Sequence, residues 1–208
     1  MFNLNELEND ALVEIFNIGV SQAAASMSAI VNEPVRMSVP SISFMNRAAA
    51  GRLLGGRDAL PERICGVSQR YAGAFDTDAI LMFPEDKSLE IVRLMVGEAV
   101  PLKELTDMEQ EAMCEIGNII LNSCVGTLAN IFQSELQGSL PQYHVGTSDE
   151  ILTANGSPAD AVVLMLHIDF VLEKHQIHGY VAFILDITAL HDLQEQINLY
   201  IARAMGQA

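Results

Sequence analysis

A chain that repeats itself at a fixed distance must fold as two versions of one unit. This sequence does so at an offset of 101 residues. Glu14 and Glu115 are separated by 115 − 14 = 101, and Asn17 and Asn118 by the same distance. Pro40 falls on Pro141, and Asp10 on Glu111. The apolar run Ile80-Leu81-Met82-Phe83 falls on Val181-Ala182-Phe183-Ile184. With two copies, the pattern predicts a pseudo-two-fold duplication rather than a solenoid. Repeat 1 covers about residues 1–101 and repeat 2 about 102–208, with no flexible linker between them.

Each repeat reads alike. A long apolar helix is expected over about 5–31 and again over about 106–134, with Pro34 and Gly138 marking the exits. An extended segment follows, "VRMSVPSISF" in the first repeat. Two strand-like runs come next, Arg63–Tyr71 with Ala79–Phe83, and Ala161–Leu172 with Gln176–Leu185, each pair reading as a hairpin. A last helix lies near 86–97 and near 188–204. The expected fold is therefore α+β. It is one domain over 1–208, in which two α-β-β-β-α halves share a mostly antiparallel sheet flanked by helices.

Charge narrows the partners. The chain carries 11 Lys and Arg against 27 Asp and Glu, a net charge of -16. A nucleic-acid partner is excluded, and a protein partner is expected to present positive surface. No Lys or Arg occurs between Lys103 and Lys174. Cys65, Cys114 and Cys124 form no Cys-x-x-Cys pair and read as buried thiols in a reducing compartment. Two stretches without charge, Ile15–Asn32 and Ile116–Ser134, hold several Asn, Ser, Thr or Gln. They are too polar to face lipid, so a cytoplasmic protein without a membrane span is expected.

The polar residues of the long helices are arranged in files. At 100° per residue, Asp10, Glu14, Asn17 and Ser21 fall within about 60° of one another. Glu111, Glu115, Asn118 and Asn122 share an edge in the same way. The rest of each helix is nearly all apolar. One copy alone is what the solvent edge of a half-buried helix looks like. Two copies of acid, acid and amide at the same spacing ask for a common task.

Neither file holds a His, so transition-metal ligation and nucleophilic triads are not indicated. Carboxylates on one helix repel, whereas a glycosidase pair faces across a cleft. No metal is expected elsewhere either. His175 and His178 lie near a hairpin turn with only Glu173 as an acid beside them. What remains is non-covalent work. An amide can hold a water, and a carboxylate can pair with a cation on a partner. A file along a helix suits insertion into another protein's site, and predicts an enzyme whose substrate carries the rest of the active site.

Asp10-x3-Glu14-x2-Asn17 followed by Pro40 resembles the phosphatase motif of the CheC/CheX/FliY family of chemotaxis phosphatases. Glu111-x3-Glu115-x2-Asn118 with Pro141 resembles it as well, "EIGNI" at 115–119 most of all. Two motifs without a further domain are similar to the CheC type. Glu111 stands where the family prefers Asp or Ser, and Phe16 where it often has Gly. The resemblance implies hydrolysis of the aspartyl phosphate of a CheY-type response regulator. It implies that Glu14 and Glu115 pair with a regulator lysine while Asn17 and Asn118 orient the attacking water. Asp10, Pro40, Glu111 and Pro141 would support them. It implies no cofactor of its own, with Mg²⁺ on the regulator, and CheD as a possible second partner. A non-catalytic adaptor that binds a regulator or CheD is the alternative, and a structural part of the flagellar switch a further one.

Overall fold

In a computed structural model the described residues are 4–54, 63–96, 102–154, 156, 160–172 and 175–206. The elements run α1 (Glu6–Val31), β1 (Val35–Asn46), α2 (Arg47–Leu54), β2 (Ile64–Gly73), β3 (Thr77–Pro84) and α3 (Glu85–Val96). They continue as α4 (Leu102–Phe132), β4 (Leu136–Gly138), β5 (Gln142–Gly146), α5 (Ser148–Thr153), β6 (Val162–Leu172), β7 (His175–Leu185) and α6 (Ile187–Ala204). The seven strands form one sheet in the order β1-β6-β7-β3-β2-β4, with β5 also on β2, and every pairing is antiparallel.

Asn5 caps α1 and completes a reciprocal box with Glu8. The helix ends at Asn32 and α4 is followed by Gln133, both at φ 56°, so each long helix stops on a left-handed residue. These two residues are themselves 133 − 32 = 101 apart. Gly138, expected at the exit of the second helix, lies instead in β4, beyond that stop.

Helices cover both faces of the sheet. Leu164, Leu166, Ile168 and Phe170 of β6 pack with Ile15, Phe16, Val20 and Ile120 of the long helices. Val163 and Met165, pointing the other way, pack with Ala50 and Leu54 of α2 and Ile151 of α5. Alternation along the strands creates these two cores. The backbones of α1 and α4 approach so closely that a Cβ on Gly19 would stand 2.9 Å from Cys124 Cα.

Two expectations need correction. Each half has an additional short helix, α2 or α5, after its first strand. The first strand of the second half is also split into β4 and β5 by the segment around Pro141, whose ring leaves no N–H for a ladder.

Candidate active site

The two files lie at the surface. Asp10, Glu14 and Ser21 are exposed on α1, as are Glu111, Glu115 and Asn122 on α4. Asn17 and Asn118 are half-buried at the foot of each file. Phe16 is fully buried and stacks on Phe183 at 5.3 Å, so the residue standing where the family often has Gly serves packing. At the matching position, Gly117 lies flat on β2, where a Cβ would come within 2.4 Å of Val67.

The two amides are held differently. In the first copy, β1 slips register between Ser38 and Ser41, leaving Val39 and Pro40 out of the ladder with β6. Pro40 has no N–H, and Val39 needs partners for both its backbone groups. Asn17 supplies them. Val39 N donates to Asn17 Oδ1 at 2.9 Å, and Asn17 Nδ2 donates to Val39 O at 3.1 Å. Asn17 Nδ2 also donates to Val13 O at 3.0 Å. Both N–H groups of Asn17 are thus committed, and its amide works as a clip between α1 and β1.

Asn118 is held from beneath by side chains instead. Its Oδ1 accepts from Asn122 Nδ2 at 2.7 Å and from Gln69 Nε2 at 3.2 Å. Gln69 Nε2 also donates to Ser139 O at 2.9 Å. A backbone carbonyl can only accept, so Ser139 fixes which end of Gln69 faces it. Gln69 in turn fixes the oxygen of Asn118 inward. Tyr71 Oη shares its one hydrogen between Asn122 Oδ1 at 2.8 Å and Gln69 Oε1 at 3.1 Å, and the shorter contact orients the second amide in the same sense. Burial pushes the Tyr71 phenol above its usual range, so it stays protonated as a donor. The outcome is an Asn118 whose two N–H groups point away from the network, with no partner among the described residues.

The difference follows from one position. Gln69 of β2 corresponds to Phe170 of β6, 101 residues on, and Phe170 offers no hydrogen bond. Gln69 and Tyr71 were missed by motif reasoning. Their signal was present, because Cys65, Val67, Gln69 and Tyr71 form the inward row of β2 and an amide in such a row requires partners.

Of the two long helices, Met108–Phe132 is long and apolar enough to cross a membrane by composition alone. Half of its most apolar window is buried inside the fold. The thiols of Cys65 and Cys124 are pushed up to about 12 by burial, which keeps them protonated and unreactive. His178, weighed with His175 as a metal pair, bonds instead to Asp169, and the side chain of His175 lies outside the described residues.

No family model matches the chain. It is 26% identical over 144 residues to the flagellar motor switch phosphatase FliY of Bacillus subtilis, covering 67% of this chain and 36% of that protein. It is 25% identical over 146 residues to the CheY-P phosphatase CheC of the same organism, covering 68% of each. Over about two thirds of its length the chain is similar to phosphatases of the CheC and FliY type. The match thus spans little more than a third of FliY and about two thirds of CheC. Among solved structures, Thermotoga maritima FliY superposes with a TM-score of 0.74 at 17% identity, covering 96% of this chain and all of that one. FliM from Helicobacter pylori, in complex with SpeE, has a TM-score of 0.67 at 9% identity, over 95% of this chain and 98% of that one. CheX from Borrelia burgdorferi, solved with CheY, BeF3 and Mg²⁺, has a TM-score of 0.51 at 17% identity, over 84% of this chain and 97% of that one. At these identities the structural likenesses establish the fold.

Proposed function

We propose that this chain hydrolyses the aspartyl phosphate of a CheY-type response regulator, with Glu115 and Asn118 as the leading site and Glu14 and Asn17 as the lesser one. The observation that carries the ranking is the pair of N–H groups on half-buried Asn118, without a partner among the described residues, on an amide whose oxygen is held from below. One N–H of this amide can hold a water by one lone pair of its oxygen and leave the other lone pair free to attack phosphorus. The P–O bond to the regulator's aspartate then breaks, releasing inorganic phosphate and the free carboxylate. Glu115, one turn before Asn118 on the same edge, pairs with a lysine of the regulator and sets the dock. Mg²⁺ stays with the regulator, and neither file needs a metal. Positioning rather than covalent chemistry supplies the acceleration, as is general for phosphoryl transfer. The relatives named as phosphatases support this reading, and a cytoplasmic location goes with such a substrate.

The adaptor reading, with a regulator or CheD held but not hydrolysed, draws on Asn17, whose donors are spent on the backbone. Decay of a CheY-type regulator phosphorylated with acetyl phosphate separates the two. Asn118→Ala is expected to remove most of the acceleration, on the order of 10²-fold at a single active site, and Asn17→Ala with Asn118→Ala all of it. Binding to the beryllofluoride-loaded regulator should persist in both. Wild-type hydrolysis by the double variant would overturn the assignment, and no acceleration by the wild type would leave the adaptor.

A further inference from the structure

His167, Asp169 and His178 belong to neither file, and they converge. Along β6, residues 163, 165, 167 and 169 share one face. Val163 and Met165 are buried under α2 and α5, while His167 and Asp169 continue the row and are half-buried. Across the ladder, Asp169 stands opposite His178 and His167 opposite Tyr180. His178 Nδ1 lies 2.7 Å from Asp169 Oδ1, and His167 Nε2 lies 3.7 Å from the same oxygen. One donor atom from each residue lies within 4.8 Å of the other two.

We propose that these three side chains form a binding site for a borderline divalent metal ion, Zn²⁺ foremost, with water completing the coordination. Two imidazoles and one carboxylate suit Zn²⁺, Co²⁺ or Ni²⁺, whereas Mg²⁺ and Ca²⁺ prefer all-oxygen sites. Metal–ligand bonds of about 2.0–2.2 Å place tetrahedral donor atoms about 3.4 Å apart. The spacings here bracket that value, so small side-chain rotations close the site. The backbone beneath is held by β7, which pairs in unbroken register with residues 167, 168 and 169 of β6, while β1 slips register beside them. Tyr180 stacks on the His167 ring at 5.2 Å and 19°, which holds the ring plane. An ion pair between His178 and Asp169 alone would leave His167 aimed at the same oxygen at a distance too long for a hydrogen bond. The net charge of -16 adds a general attraction for cations.

This site departs from the expectation of no metal. The three residues lie 2 and 9 positions apart in sequence, and only the register of the β6–β7 hairpin brings them together. They occupy the sheet face opposite α1 and α4, so the site stands or falls independently of the phosphatase reading.

The test is titration of the untagged full chain with Zn²⁺ by calorimetry and with Co²⁺ by visible absorption, alongside Mg²⁺ and Ca²⁺. One Zn²⁺ per chain is expected, with Co²⁺ giving the intense d–d bands of a low-coordinate site, and no Mg²⁺ or Ca²⁺ bound. His167→Gln and His178→Gln should each weaken binding at least about tenfold, in line with the sensitivity of metal sites to their ligand shells. His191→Gln, on exposed α6, should not. Circular dichroism of the metal-free variants checks their folding, and Asp169→Asn supplies an isosteric third variant. Absence of Co²⁺ bands in the wild type, or Zn²⁺ binding that survives loss of both imidazoles, would overturn the proposal.

Discussion

At the residue scale, Gln69 decides what Asn118 can do. It is 2% exposed, and its amide is spent on Ser139 O, Asn118 Oδ1 and the hydroxyl of Tyr71. Gln69 touches no substrate in the proposed reaction; it is a positioning residue. Gln69→Glu keeps the shape and removes both donors, so Asn118 loses the contact that fixes its oxygen inward. Turnover on a phosphorylated regulator should fall about ten- to a hundredfold, the scale of a small misplacement of a catalytic group. KM and binding to the beryllofluoride-loaded regulator should stay near wild type, because Glu115 still docks. A general loss of stability would lower both together, so the split between kcat and KM is the readout. Wild-type turnover in Gln69→Glu would remove Gln69 from the mechanism. The files were legible in the sequence because helical spacing alone puts Glu115 and Asn118 on one edge. The partner that Gln69 requires was not, because Asn118 is 49 residues away on α4 and only the packing of that helix over β2 brings them together.

At the element scale, the same motif position carries two burdens. In the first copy the irregularity of β1 around Pro40 orphans the backbone of Val39, and Asn17 satisfies it. In the second copy Leu140, which matches Val39, is exposed, and its carbonyl accepts from Ser139 Oγ rather than from Asn118. The spacing of Asn and Pro is therefore a structural pairing in copy one, and leaves the amide N–H groups of copy two available for the proposed reaction. Asn17→Ala should destabilise the protein by about 1–3 kcal/mol, the cost of leaving buried backbone groups unpaired. Asn118→Ala should cost less, because of the two donors it leaves, Gln69 Nε2 keeps Ser139 O and Asn122 is exposed to water. Urea unfolding of the two variants measures the difference, and equal losses would refute the clip. The short helices α2 and α5 were missed for a related reason. At eight and six residues they show barely two turns of periodicity, and their stability comes from the sheet face they cover.

At the scale of the whole molecule, the 101-residue offset carries no information on how the strands interlock. The first strand of each half does not pair within its own half. β1 ladders only with β6, and β4 and β5 ladder only with β2. The central seam is β3 against β7, where Leu81 faces Val181 and Ile80 faces Ala182. Those pairs exchange places under the 101-residue shift, as a two-fold axis through the seam would require. Sequence periodicity reports which face of a strand is buried, and carries no information on which strand lies beside it. The interlocking has a measurable consequence. Residues 1–101 expressed alone would hold β1 without a ladder partner and expose the β3 edge that β7 covers. Such an edge invites a second copy rather than a folded monomer. The fragment is therefore expected to be unfolded or dimeric, and the same holds for residues 102–208. Mixing the two should restore a 1:1 complex with the circular dichroism of the intact chain, seen by size-exclusion chromatography with light scattering. Cooperative thermal unfolding of either half as a monomer would show that the exchanged strands are dispensable, and that the halves are separate domains.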